Sequence, residues 1–158
     1  TPEESANGLF IIYLSLLFSF LIWGYFVPKF SKNVSDAIRL LKFGAPLNLI
    51  VLAFIIYLGP KAGALHWALF AVSSVFLSLS QPAVGMAFSL SNAGKALTSF
   101  NLLLFIGAFA LQWIIGVIID LTMNLGFSEI SGFRFAMIFF LLTSFFSYLF
   151  FLIKNSKN

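Results

Sequence analysis

Cysteine is absent from this chain of 158 residues, and charged residues are scarce. The lack of cysteine excludes disulfide bonds, thiolate metal sites and a cysteine nucleophile. Charged residues make up 9% of the chain, whereas a soluble globular domain has about a quarter. Hydrophobic residues make up 61%, with 22 Phe among them. Because so few polar residues cannot cover a water-facing surface, the sequence predicts that the lipid bilayer is the solvent.

Several function classes lack their usual sequence signals. The chain has no HExxH, GxSxG or P-loop pattern, so we expect no enzyme, no metal and no cofactor. The net charge of +4 comes from basic residues scattered between apolar runs. That distribution is typical of membrane topology and does not form the basic patch that nucleic acid requires.

Five apolar stretches are long enough to cross a membrane, which takes roughly 20 residues as a helix. Hydrocarbon leaves no partner for an unpaired backbone amide, so each stretch must be helical. The stretches are also too uniformly apolar for barrel strands. We therefore predict an all-α, polytopic membrane helix bundle that forms one transmembrane domain over residues 1–158. The predicted spans are residues 9–27, 43–58, 64–90, 96–119 and 135–153.

The basic residues predict the orientation, because Lys and Arg are retained in the cytoplasm. Two lie on one side of the predicted spans, Lys61 and Arg134. Seven lie on the other side: Lys29, Lys32, Arg39, Lys42, Lys95, Lys154 and Lys157. We expect a multi-pass protein of the cell (inner or plasma) membrane. Residues 1–8 should be outside, and residues 28–42, 91–95 and 155–158 should be cytoplasmic. An outside start predicts a preceding span or a removed leader.

The fourth span carries two amides, Asn101 and Gln112. They are eleven residues apart, almost three turns of an α-helix, so they share one face. One interpretation is helix packing, in which an amide bonds across an interface. The other is that the amides line a water-filled path, since intramembrane polar groups face the bundle interior or a cavity. Both interpretations place the two amides inside a bundle.

The third span shows a similar pattern. Ser74, Ser78, Gln81 and Gly85 recur at the spacing of one α-helical face. Pro82 predicts a kink, because proline has no N–H and collides with the preceding turn. The kink is open to two interpretations, packing alone or a gating helix whose freed carbonyls line a path.

The order of these features resembles the end of major facilitator superfamily transporters. The segments "SQPAVGMAFSLSN", "NAGKALTSFN" and "GFRFAMIFFLLTSFFSYLFF" are similar to that family's tenth helix, a tight cytoplasmic turn with the start of the eleventh helix, and the twelfth helix. Gly94, Lys95, Ala96 and Asn101 match a "GRA…N" pattern that opens the eleventh helix. The loop "SDAIRLLKFGAP" resembles the basic loop between helices eight and nine, without the family's glycine.

The resemblance implies that the chain corresponds to helices eight to twelve of a twelve-helix secondary transporter. Its partners would then be the missing N-terminal half and a small organic solute moved by alternating access. Gln81, Asn101, Gln112, Ser74 and Ser78 would line the path, with Pro82 and Gly85 at the kink. The alternative is a non-transporting five-span protein with a role in assembly or interaction, in which the amides only pack helices.

Overall fold

The computed structural model describes residues 2–155, and within them every regular element is helical. The α-helices are α1 (Pro2–Phe30), α2 (Val34–Leu58), α3 (Ala64–Ser74), α4 (Ser80–Ala87), α5 (Leu90–Asn124) and α6 (Glu129–Lys154). Short 3-10 helices cover Gly59–Lys61 and Val75–Leu79. The all-α fold expected from the sequence is confirmed. The expected outside position of Thr1 and the cytoplasmic position of residues 156–158 concern residues outside this range.

Five helical segments of the described residues are long and apolar enough to cross a membrane. They are Pro2–Phe30, Val34–Lys61, Ala64–Ala87, Leu90–Asn124 and Glu129–Lys154. Their outward faces are covered with exposed Phe, Leu and Ile side chains, which lipid solvates and water does not. The chain is that of a multi-pass membrane protein.

Four of the five helical segments are longer than the apolar runs that predicted them, and the third, Ala64–Ala87, ends before the predicted residue 90. The second span was expected from residue 43, yet α2 begins at Val34, because the Asn33 side chain caps it by accepting the Asp36 N–H at 2.9 Å. The fourth span was expected from residue 96 after a tight turn, yet α5 begins at Leu90 and includes Gly94 and Lys95. At about 1.5 Å per residue, α5 is about 52 Å long and exceeds the hydrocarbon thickness.

By their internal contacts the residues form two compact units, one up to Ala93 and one from Gly94. The prediction of a single domain stays a prediction.

In the first unit, α2 runs antiparallel to α1 and to α3. Gly8 of α1 lies near Ala64 at the start of α3, and Trp23 meets Phe76 in the 3-10 helix that follows α3. Along α2, in the opposite direction, Phe54 lies near His66. The core is the face of α2 that carries Ala37, Leu41, Gly44, Asn48, Val51, Leu52, Ile55 and Ile56, packed on Ala68, Ala71, Val75 and Leu79.

The second unit is a pair of helices joined by a tight turn. Gly126 has a φ of 85°, a conformation that favours glycine, and it ends α5 in a Schellman arrangement. The Gly126 N–H bonds to the Met123 carbonyl and the Phe127 N–H to the Thr122 carbonyl. The helices touch where Gly132 of α6 lies against Ile119, since a Cβ built on Gly132 would be 3.4 Å from the Ile119 Cα.

Candidate functional site

A buried polar junction joins α2 and α3 in the first unit. The Asn48 Nδ2 donates to the Ser73 Oγ at 2.9 Å and to the Phe70 carbonyl at 3.3 Å. Ser73 in turn donates to the same carbonyl at 2.8 Å. Both side chains are buried, Asn48 at 8% exposure and Ser73 at 3%. An amide in this position fixes the register of the two helices, because any slip would leave a buried donor unpaired.

Sequence reasoning missed this junction. Asn48 lies in the middle of a predicted span at the spacing of the buried face of α2, with Gly44 one turn before it. This position of Asn48 was the signal in the sequence that could have revealed the junction. Ser73 escaped notice because the polar stripe proposed for the third span contains its neighbour, Ser74, in its place.

An aromatic contact lies one turn from the junction, toward the start of α2. Trp23 of α1 meets Phe76 edge-on, with ring centroids 4.5 Å apart. On its other side Phe76 lies directly on Gly44, where a built Cβ would overlap the Phe76 side chain. We call this arrangement of Trp23, Phe76 and Gly44 the Phe76 contact. The Trp23 Nε1 is buried in it without a hydrogen-bond partner among the described residues.

The expected break in the third span is present in a different form. The departure from α geometry covers Val75–Leu79 and ends before Pro82, which is inside α4. Pro82 has no N–H to give to the Ser78 carbonyl, the bond that an α-helix would need there. That carbonyl instead accepts from the Ser80 N–H. The proline therefore acts on the turn before it, where the chain tightens to 3-10 geometry.

This geometry also changes the predicted stripe. In an α-helix Ser78 would lie about 40° from Ser74 around the axis, whereas at three residues per turn the angle is about 120°. Ser74, Ser78 and Gly85 are half-buried, while Gln81 and Pro82 are exposed. The four stripe residues thus stay on one segment of the first unit but spread around its axis.

The serine hydroxyls of this segment are turned back to the chain. Ser74 donates to the Ala71 carbonyl at 2.6 Å, Ser78 to the Val75 carbonyl at 2.7 Å, and Ser80 to the Leu77 carbonyl at 2.7 Å. In such a bond the hydroxyl proton is already donated, so the oxygen can only accept further hydrogen bonds. A solute that meets Ser74 or Ser78 in this conformation would find hydrogen-bond acceptors.

The two amides of the fourth span lie on α5 in the second unit. Asn101 is half-buried and Gln112 is exposed. In α5, which is described throughout, Thr122 alone is buried, and its hydroxyl donates to the Ile118 carbonyl at 2.6 Å. The described residues of this chain do not enclose Gln112, and its place inside a larger bundle stays a prediction.

The chemistry available to these residues is neutral hydrogen bonding. Among the described residues, no group of three or more His, Cys, Asp or Glu side chains is placed to hold a metal ion. His66, which lies near the start of α3, accepts the Gly63 N–H on its Nδ1 at 3.1 Å. It therefore stabilises the first turn of that helix.

No protein-family model, curated protein or solved structure matches this chain. The first unit has a 3-10 break beside a buried amide, and the second unit has a long apolar helix that carries Asn101 and Gln112.

Proposed function

We propose that the chain is the C-terminal portion of a secondary active transporter of the major facilitator superfamily that moves a small organic solute by alternating access. The observation that carries the proposal is the exposed Gln112 on α5, since the other exposed side chains of that helix over residues 102–119 are apolar or aromatic. A primary amide facing hydrocarbon without partners costs several kcal/mol, roughly 2–7 on the scales for apolar transfer. The face of α5 that carries Gln112 therefore borders either water or another polar surface.

The composition of the spans limits the solute. The polar residues proposed for the path are amides and hydroxyls, and the middle of each predicted span lacks Asp, Glu, Lys and Arg. A charged solute or a proton relay calls for an ionisable group at membrane depth. The chain therefore favours a polar uncharged or amphipathic solute, with any charged contact supplied by the N-terminal half.

The break in the third span supports the proposal that this segment moves during transport. Helices that line transport paths are often discontinuous, because irregular backbone is tolerated only beside protein or a water-filled cavity. The 3-10 helix Val75–Leu79 fits that description, with Pro82 and Gly85 just beyond it. In the proposed cycle this segment changes its backbone geometry while the Asn48 junction holds α3 on α2.

The proposal includes a place and an orientation. The protein would be in the cell membrane, with the start of α1 outside and the end of α6 in the cytoplasm. The support is the bias of Lys and Arg toward one side of the spans.

A second function is favoured by a different observation. Among the described residues, Asn48 is the one amide side chain of a predicted span that is buried. It forms a hydrogen bond between two helices. If Asn101 and Gln112 serve in the same way, their partner is a helix of another protein. The chain would then be a non-transporting assembly or interaction subunit.

Cysteine labelling of the full-length protein separates the two functions. The chain has no native cysteine, and a thiol reacts as the thiolate, which forms only where water reaches it. We expect a small water-soluble maleimide to label Gln112→Cys and to spare Phe109→Cys, an exposed apolar position of the same helix. Equal protection of both positions would favour a packed helix interface and contradict a water-lined path.

Uptake measurements complete the test. In vesicles that contain the full-length protein, we expect Asn101→Ala and Gln112→Leu to reduce uptake of a panel of labelled neutral solutes while insertion is normal. Leu103→Ala, on the apolar side of the same helix, serves as the control. Normal uptake by both amide variants would refute the path assignment.

A further inference from the structure

Each of the three spans in the first unit contains a proline within its helix. Pro28 and Pro46 are inside α1 and α2, and Pro82 is inside the continuous helical segment Ala64–Ala87. Proline has no N–H for the carbonyl four residues before it, and its ring crowds that carbonyl. Each span therefore has one turn that bends more easily than the turns around it. We call these the interrupted turns, which cover residues 24–28, 42–46 and 78–82.

The three interrupted turns meet at the Phe76 contact. The second of them includes Gly44, on which the Phe76 ring lies. The first begins directly after Trp23, which meets the same ring from α1. The third begins two residues after Phe76 itself. Three weak turns in three helices thus lie at one depth, around a single aromatic ring.

On one side of this depth, specific contacts hold the three helices together. The hydrogen bond from Asn48 to Ser73 joins α2 to α3, and Gly8 of α1 lies near Ala64 at the start of α3. Both contacts lie on the side of the Phe76 contact where α1 and α3 begin. That part of the unit is therefore one packed body.

On the other side lie the last turn of α1, its connection to α2, the first turns of α2, and α4. Helix α2 packs on α4, and two of its residues before Gly44 are buried, Ala37 and Leu41. We call this second body the connection end. The chain passes between the two bodies three times, each time through an interrupted turn.

The contact between the two bodies is easily parted. Trp23, Phe76 and Gly44 meet through apolar surface, which can separate and re-form without leaving a polar group unpaired. The Trp23 Nε1 is buried there and finds no hydrogen-bond acceptor within the part of the chain that the structure describes. An unpaired buried donor lowers the stability of this arrangement. Movement of Phe76 away from Trp23 would uncover that donor and let it pair.

We propose that the first unit bends at the Phe76 contact, with the three interrupted turns as hinges, and that the connection end moves as one body. Hinges are short stretches that absorb the backbone change between two packed bodies. At about 1.5 Å per residue, Ser35 is about 13.5 Å from Gly44 along α2, so a bend of about 20° moves it by about 5 Å. The inference deepens the proposed function, because it names the part that moves during transport, and its purpose rests on that function.

Spin-label distances in the full-length protein, reconstituted in nanodiscs without solute, test the bend. The chain has no native cysteine to add unwanted labels. The test pair, Leu21→Cys with Ser35→Cys, spans the hinges, whereas the control pair, Leu21→Cys with Tyr57→Cys, does not; all three positions are exposed. In double electron–electron resonance, the distances of the test pair should spread by up to about 5 Å more than those of the control pair.

Restoring the missing N–H groups should remove the bend. In the triple variant Pro28→Ala/Pro46→Ala/Pro82→Ala, the test-pair distribution should narrow to the width of the control pair, because alanine can donate the hydrogen bond and favours helix. Pro60→Ala is the matched control. Pro60 follows Gly59, whose φ of 55° already ends α2, so this variant should keep the wild-type distribution.

Three results would overturn the proposal: a wild-type test pair as narrow as the control pair, a triple variant as broad as the wild type, or equal narrowing by Pro60→Ala. If the triple variant fails to insert, Pro46→Ala alone decides, since narrowing supports the hinge and an unchanged width refutes it. Uptake separates this inference from the proposed function. Spread distances in a protein that moves no neutral solute would support the hinge and contradict the transporter.

Discussion

Replacing Gly44 with alanine tests the packing of the first unit at its tightest point. A Cβ on Gly44 would overlap the Cβ and Cγ of Phe76, atoms that cannot move aside without shifting the 3-10 helix. Overpacking of this kind costs about 1–3 kcal/mol. The same substitution gains about 0.5–1 kcal/mol from helix propensity. We therefore expect a net loss of up to about 2.5 kcal/mol in the free energy of unfolding.

Gly24→Ala is the matched control. Gly24 is also inside a helix of the first unit, and a Cβ there meets nothing within 4 Å. It should raise the free energy of unfolding by about 0.5–1 kcal/mol. The difference between the two variants isolates the overlap with Phe76, at about 1–3 kcal/mol.

The assay is unfolding of the full-length protein by a denaturing detergent, followed by tryptophan fluorescence. A double-mutant cycle with Phe76→Ala sharpens it, since that change removes the Cγ but keeps the Cβ. We expect Gly44→Ala to cost less in the Phe76→Ala background. Equal stability of Gly44→Ala and Gly24→Ala would refute the Phe76 contact.

Three further changes test the Asn48 junction, the orientation of the chain and the packing of the second unit. Asn48→Ala should lower the free energy of unfolding by about 0.6–2 kcal/mol. Adding Ser73→Ala should lower it little further, because both side chains belong to one hydrogen-bonded group. Fully additive losses in detergent unfolding would contradict the junction. An impermeant thiol reagent on intact cells should label Ser5→Cys and spare Ser35→Cys, an exposed position at the start of α2; the reverse would invert the proposed orientation. Gly132→Ala should raise the free energy of unfolding of the second unit by about 0.5–1 kcal/mol, because its Cβ would make ordinary contact at 3.4 Å, whereas Gly132→Leu should destabilise the unit by about 1–3 kcal/mol in the same unfolding assay.

The helices were predictable from the sequence because one strong physical requirement specifies them. A run of about 20 apolar residues in lipid has no alternative to helix, so the number of spans follows from the runs. The helix ends were not predictable in this way. Beyond the hydrocarbon, a helix continues or stops according to local caps, and the Asn33 cap on α2 is a two-residue signal that the apolar pattern does not contain.

The candidate site was harder to predict from the sequence than the fold. The stripe on the third span assumed 3.6 residues per turn throughout, but the geometry tightens over Val75–Leu79, and a change of period cannot be read from residues that suit both forms. Pro82 predicted a break in the helix but did not show where along the chain the break lies. Asn48 was missed because a single amide on a helical face has no partner in the sequence. Its partner, Ser73, becomes visible only when two helices are side by side.

The exposed face of α2 that carries Phe43, Leu47, Ile50, Phe54 and Tyr57 also has a consequence for the bilayer around the protein. The length of about 27 Å from Arg39 to Tyr57 along α2 matches a thin bilayer better than one of about 32–33 Å. Tilting would shorten the match further, so the helix cannot adapt to a thicker bilayer by leaning. Each ångström of hydrophobic mismatch costs a fraction of a kcal/mol. A thicker bilayer should therefore be compressed around α2.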